Sequence, residues 1–172
     1  VEAKSGYGLN WETERKQLLV TKKLNETHCV DLVSTFMGAH AVPKQYKGNE
    51  DTFVDLVIEV MLPKVVEEGL AEFNDVFCEH GVFTPEQSRR ILEAGKALGL
   101  TPKIHADEIE PYEGAELAAA IGAISAEHLL VASDAGIEAM AKAGTIAVLL
   151  PGTAFFLRAP FARGRLMVDS GV

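Results

Sequence analysis

Cysteine is nearly absent from this sequence. The two present, Cys29 and Cys78, lie far apart and show none of the short spacings of a metal-binding cysteine cluster. They predict two free thiols in a reducing cytoplasm, and neither is placed as a nucleophile. Positive charge is also in deficit. Sixteen Lys and Arg stand against 25 Asp and Glu, a formal net charge of -9, so the electrostatic footprint of a nucleic-acid binder is missing. Long apolar runs are lacking as well. The longest, such as Ile146 to Pro151, are strand-sized and well short of the roughly 20 residues that span a bilayer. Val1 to Tyr7 has neither the basic start nor the apolar core of a secretory signal. No nucleic-acid or membrane partner is expected, and a cytoplasmic location is. There is no glycine-rich phosphate loop either: Gly6-Tyr7-Gly8 has no third glycine and no later acidic partner.

What is present suits a globular α/β chain. Across 172 residues, 48% are hydrophobic and 24% charged, enough for a sizeable core in one domain spanning 1–172. Short apolar runs alternate with helical patterns along the whole length, the signature of βαβ units and a parallel sheet. The predicted strands are Val1–Lys4, Asp31–Met37, Asp75–Cys78, Pro102–His105, Ala126–Leu130 and Thr145–Leu150. Thr84-Pro85-Glu86-Gln87 combines an N-cap, a proline at the first helical position and a capping-box Gln, and Gly99 closes that helix. Ser133-Asp134 opens another, ended by Gly144. Further helices are predicted over Trp11–Lys23, Glu113–Ile121 and Phe161–Asp169, and one over 51–69 that Pro63 should kink or divide. Six strand-helix units without a phosphate fingerprint favour a partial (β/α)8 barrel over an open doubly wound sheet. About six of eight units are covered, the first and last strands are absent, and both ends read as cuts through a larger barrel.

In such a barrel the reactive side chains sit at the C-terminal ends of the strands. His40, His80, His105 and His128 fall at or near four different strand ends, where they would converge on one mouth, whereas His28 precedes its strand and reads as surface. Neutral imidazole is a ready ligand for zinc or iron and a ready general acid or base. His105 with Glu108 is the sharpest pair. The ring can face the barrel axis as a metal ligand, while the carboxylate just beyond can shuttle a proton between water and a leaving nitrogen. The plain alternative is that Asp107, Glu108 and Glu110 solvate a loop. Lys4 and Lys103 raise a Schiff-base reading only weakly, since Lys103 precedes its strand end and Lys4 has no evident acid partner.

With these residues placed, the sequence resembles the imidazolonepropionase family of the amidohydrolase superfamily. The resemblance lies in Glu2-Ala3-Lys4-Ser5-Gly6-Tyr7-Gly8, Phe36-Met37-Gly38-Ala39-His40-Ala41-Val42-Pro43, Lys103-Ile104-His105-Ala106-Asp107-Glu108, Ser125-Ala126-Glu127-His128-Leu129 and Ala147-Val148-Leu149-Leu150-Pro151-Gly152. It implies hydrolysis of the ring of 4-imidazolone-5-propanoate to N-formimidoyl-L-glutamate in histidine degradation, with one zinc or iron ion activating a water. It implies His105 as metal ligand, Glu108 as acid/base and ring contact, His128 as orienting the water or steadying an oxyanion, and Tyr7 and His40 as substrate-binding. His80 matches no such position. The family's metal site also uses a His-x-His pair and an aspartate from the eighth strand, and the sequence contains neither, so the segment alone is expected to be inactive. Open barrel edges predict a homo-oligomer, most simply a dimer. Two other readings stand beside this one: another cyclic amidohydrolase or deaminase of the same superfamily, and a barrel fragment that only folds or assembles.

Overall fold

In a computed structural model describing residues 1–172, six strands form one sheet: β1 Glu2–Lys4, β2 Val33–Ala39, β3 Phe73–Cys78, β4 Thr101–Ala106, β5 Ser125–His128 and β6 Ile146–Val148. All pair in parallel in the order β1-β2-β3-β4-β5-β6. The order never reverses, so the sheet has no switch point of the doubly wound kind and is the expected open portion of a (β/α)8-type barrel. The helices are α1 Trp11–Thr27, α2 Glu50–Leu56, α3 Leu62–Glu67, α4 Pro85–Ala97, α5 Gly114–Ile121, α6 Asp134–Ala143, α7 Pro151–Leu157 and α8 Gly164–Ser170.

Local chemistry explains these boundaries and the places where they depart from the sequence reading. The Thr84 cap forms in full: its hydroxyl accepts from Gln87 N at 3.1 Å while the Gln87 side chain accepts from Thr84 N at 3.0 Å. The helix expected over 51–69 is divided as Pro63 requires. A widened π-turn, Val57–Met61, joins α2 to α3 just ahead of the proline, where an N–H is missing from the ladder. The second strand runs two residues later than expected and delivers His40 directly from its end. The fifth stops at His128, because His128 and Leu129 take φ of 76° and 55° and cannot continue a ladder. Only Ile146–Val148 of the predicted sixth strand pairs. The last helix, expected over Phe161–Asp169, begins at Gly164, and a further helix, α7, precedes it. Its Pro151 occupies a first-turn position, where a missing N–H costs nothing, although Pro-Gly reads as a loop.

One face of the sheet packs against the helices in a continuous core of 29 buried residues. Val76 and Cys78 of β3, Ile104 and Ala106 of β4 and Ala126 of β5 meet side chains such as Phe83, Ile91, Leu92 and Ile137, all at most 1% exposed. Burial of each large aliphatic or aromatic side chain contributes about 1.5–3 kcal/mol. The alternate strand positions face the barrel interior and are largely polar: Lys4, Thr35, Asp75, Lys103, His105 and Glu127. That inner face positions the site.

Candidate active site

The inner face carries an ionic floor, buried at Asp75, Lys103 and Glu127, beneath a cluster of histidines. Lys4 Nζ lies 2.7 Å from Glu2 Oε1, 2.8 Å from Asp75 Oδ2 and 3.6 Å from Glu127 Oε1. Lys103 Nζ lies 3.0 Å from Glu2 Oε2 and 3.3 Å from Glu127 Oε1, and Thr35 Oγ1 donates to Glu2 at 2.5 Å. Burial works against the Lys4 charge, but Asp75 and Glu127 outweigh it and raise its pKa. Burial and the neighbouring Asp75 raise that of Glu127. Lys4 therefore has three acid partners, and both lysines serve the ion network of the barrel interior.

Above this floor, Asp75 reaches His105. Its Oδ1 is 3.1 Å from His105 Nδ1, and its side chain is fully buried. Despite burial, the charges of His105 and Lys4 hold Asp75 well below the usual carboxylate range. Burial would lower His105, and Asp75 reverses that and raises it. A carboxylate can only accept, so Nδ1–H is the donor. When the ring is neutral its lone pair is then on Nε2, the arrangement in which histidine ligates metals.

The mouth histidines assemble around His105. The His40 ring centroid is 5.8 Å away and that of His128 is 5.1 Å away. The Tyr7 ring lies tilted against His40, 4.2 Å away by ring centroids, while remaining 70% exposed. Burial, reinforced by the positive charge of His105, pushes both His40 and His128 down to about 4, so both rings are neutral near pH 7. Glu108 Oε1 lies 3.2 Å from His128 Nδ1. The two are not aligned for a hydrogen bond, and Nδ1 remains buried without a partner. Burial lifts the Glu108 pKa; His105 pulls it back and Glu79 adds to the rise. A cleft of about 260 Å³ beside Glu108 is walled by Ile109, Val131, Leu157, Ala159 and Pro160.

The loops are fixed from the sequence upward. After β1 the chain turns through Gly6 at φ 137°, where a Cβ would lie 2.9 Å from His40 Nδ1, so only glycine lets the Tyr7 loop approach His40 this closely. Gln17 and Glu14 of α1 accept from Gly6 N at 3.1 Å and Gly8 N at 2.6 Å. After β4, the buried Asp107 accepts from Tyr112 N, Gly114 N and Ala115 N at 2.8, 3.2 and 2.8 Å, which caps α5 from across the loop.

The structure thus gathers Tyr7, His40, His105, Glu108 and His128. It does not gather His80, which is exposed and lies 3.7 Å from the exposed Glu110, nor His28, which is exposed at the end of α1. Sequence reasoning missed Asp75, Glu127, Glu2 and the pairing role of both lysines. The available signal was the alternation Phe73-x-Asp75-x-Phe77, which puts an acid on the inner face of a mid-sheet strand.

By spacing, Asp75, His105 and Glu127 could hold a metal ion, since their ligand atoms lie within 4.8 Å of one another. Charge argues against that trio as the whole site, because a dication there would face the two ammonium groups already paired with its carboxylates. The donor chemistry fits an ion on the mouth side: His105 offers an Nε2 lone pair with Asp75 behind it, beside two neutral imidazoles and the unpartnered His128 Nδ1.

Comparison with known proteins bears out the resemblance read from the sequence. No protein-family model matches the chain. It is 73% identical over 172 residues to an imidazolonepropionase of Brevibacillus brevis, covering 100% of this chain and 41% of that protein. It is 70% identical over 171 residues to one of Geobacillus sp. (99% and 40%) and 60% identical over 173 residues to one of Bacteroides fragilis (99% and 42%). The chain therefore spans about two fifths of the length of these curated relatives. Among solved structures, a Xaa-Pro dipeptidase with bound methionine in its active site matches at TM-score 0.59 and 14% identity, over 89% of this chain and 45% of that one. An ochratoxinase of A. niger matches at TM-score 0.59 and 16% identity, over 99% and 47%. At these identities the two structures bear on the fold alone.

Proposed function

We propose that this chain, similar along its whole length to imidazolonepropionases, carries the proton-transfer and substrate-facing part of a metal-dependent hydrolase that opens the ring of 4-imidazolone-5-propanoate to N-formimidoyl-L-glutamate. The observation that carries the reading is the convergence of His40, His105, Glu108 and His128 from the ends of β2, β4 and β5 on one mouth, with Glu108 3.2 Å from a buried, unpartnered His128 nitrogen.

In this reading His105 would hold a zinc or iron ion through Nε2, together with further ligands, because three or four protein ligands are usual. When bound, the ion supplies Lewis acidity that eases ionisation of a water. Glu108, its pKa raised by burial, takes a proton from that water and returns it to the leaving ring nitrogen. His128 presents Nδ1 to the reacting centre and steadies the developing negative charge on oxygen. Tyr7 and His40 form a wall against which the substrate lies, with His40 neutral and free to hydrogen-bond.

A cytoplasmic homodimer is part of the proposal. Free Cys29 and Cys78 agree with a reducing compartment. Phe155 and Phe156, 79% and 85% exposed on α7, are apolar surface that a second copy or the additional length would cover. No helix is long and apolar enough to cross a membrane.

The test uses a chain of the relatives' full length carrying this segment. His105→Ala should abolish metal loading. Glu108→Gln should retain metal and lose turnover by about 10²–10⁴-fold. Full activity in Glu108→Gln would show that Glu108 does not carry the proton.

A further inference from the structure

Glu79 follows β3 directly and has no part in the ionic floor or the histidine cluster, yet it is only 1% exposed. Its Oε2 accepts from the backbone N–H of Glu108 at 3.1 Å and of Ile109 at 2.9 Å. Its Oε1 accepts from the N–H of Glu110 at 3.3 Å and of its own neighbour His80 at 2.8 Å. Three consecutive amides from the loop after the neighbouring strand thus converge on one buried carboxylate, a charge-assisted arrangement that holds backbone strongly.

Glu79 is itself fixed. Its N–H donates to Phe83 O at 3.1 Å, its carbonyl accepts from Val82 N at 3.0 Å, and Phe83 is fully buried. The loop begins with Asp107 at φ 49°, a strained conformation for a residue with a side chain. The Asp107 carboxylate ties the loop forward to α5, and Glu79 ties it sideways to β3. The Glu108 side chain makes no aligned hydrogen bond of its own, so its place at the mouth is set by its backbone.

We infer that Glu79 is a positioning residue, a buried carboxylate whose grip on the amides of Glu108, Ile109 and Glu110 holds the Glu108 side chain at reacting distance from the mouth. The inference rests on the proposed role of Glu108. A displacement of about 1 Å at a reacting group can cost on the order of 10²-fold in rate. Loss of the grip therefore acts on turnover and leaves substrate affinity and metal loading largely in place.

The experiment compares Glu79→Gln and Glu79→Ala in the full-length chain, with Glu108→Gln alongside. Glu79→Ala should lower kcat by about 30–100-fold, with KM and metal content near wild type. Glu79→Gln keeps one accepting oxygen and should recover part of that loss. Amide hydrogen exchange at residues 108–110 should accelerate in both variants, more in Glu79→Ala. Should Glu79→Ala fail to fold, Glu79→Gln with its exchange profile decides alone. Wild-type kcat in the Glu79 variants beside an inactive Glu108→Gln would overturn the inference, as would lost turnover with unchanged exchange at 108–110 or a change confined to KM. An active Glu108→Gln would instead overturn the proton-transfer reading.

Discussion

Replacing Asp75 by Asn keeps the shape of the side chain and removes its charge, at the point where the ionic floor meets His105. Asp75 is fully buried, 3.1 Å from His105 Nδ1 and 2.8 Å from Lys4 Nζ. Breaking a buried pair and leaving its partner uncompensated costs about 3–5 kcal/mol. The lower end applies, about 3 kcal/mol, because Lys4 retains Glu2 at 2.7 Å. Against a total stability of about 5–15 kcal/mol, urea unfolding should show that loss clearly. The second effect is on metal. Without a pure acceptor behind Nδ1 the tautomer is no longer enforced, and affinity should fall about 10–100-fold in chelator competition. Asp55→Asn is the control: it breaks an ion pair with Arg90 that is half exposed on both sides, and it should shift stability by less than about 1 kcal/mol. Unchanged metal affinity in Asp75→Asn, with the stability loss present, would refute the link between Asp75 and the proposed ligand nitrogen of His105. An unchanged unfolding curve would refute the buried network itself.

Gly6→Ala combines a left-handed backbone with a Cβ 2.9 Å from His40 Nδ1. It should cost about 1–3 kcal/mol and, in a chain of the relatives' full length, raise KM for the proposed substrate, measured by steady-state kinetics, because the Tyr7 loop must withdraw from His40. Glu14 is fully buried and its pKa is raised by burial. Its stabilising contribution is therefore complete below the ordinary carboxylate pKa and is lost as pH rises through the raised folded value. Glu14→Gln should flatten that slope in urea unfolding across mildly acidic pH. Native iodoacetamide should label Cys29, which is exposed, and spare Cys78, whose thiol is fully buried and pushed up to about 12; denaturant should release it.

The β/α alternation was legible because short apolar stretches such as those of β2 and β6 alternate with helices marked by the Thr84 and Ser133 caps and by closing glycines, and because nothing in the sequence offered the phosphate fingerprint of an open sheet. The mouth was legible through a rule of placement: His40 and His105 fall at or near the ends of predicted strands and His128 within the fifth, and strand ends converge in a barrel. The floor beneath them was not. Asp75 read as the start of a strand when it sits in the middle of one, facing inward, and the lysines drew attention only as nucleophiles, since their partners are up to 101 residues distant. Glu79 was hidden for a different reason. It acts on backbone amides, which carry no residue type to recognise, and only the folded register of β3 beside β4 brings it to them. Helix α7 was not legible because it opens on Pro151-Gly152 without a side-chain cap.

The floor has a bearing on how such sequences drift. Lys4 is shared among Glu2, Asp75 and Glu127, and Lys103 between Glu2 and Glu127. Changing the sign of Asp75, Lys103 or Glu127 strands an uncompensated charge in the barrel interior, and offsetting it takes a second replacement on another strand, whereas Glu2 and Lys4 lie together on β1 and can offset each other. Viable lineages should therefore cross this region in paired steps, with strands separated widely in the gene changing together, while the solvent-facing helices around them diverge one residue at a time.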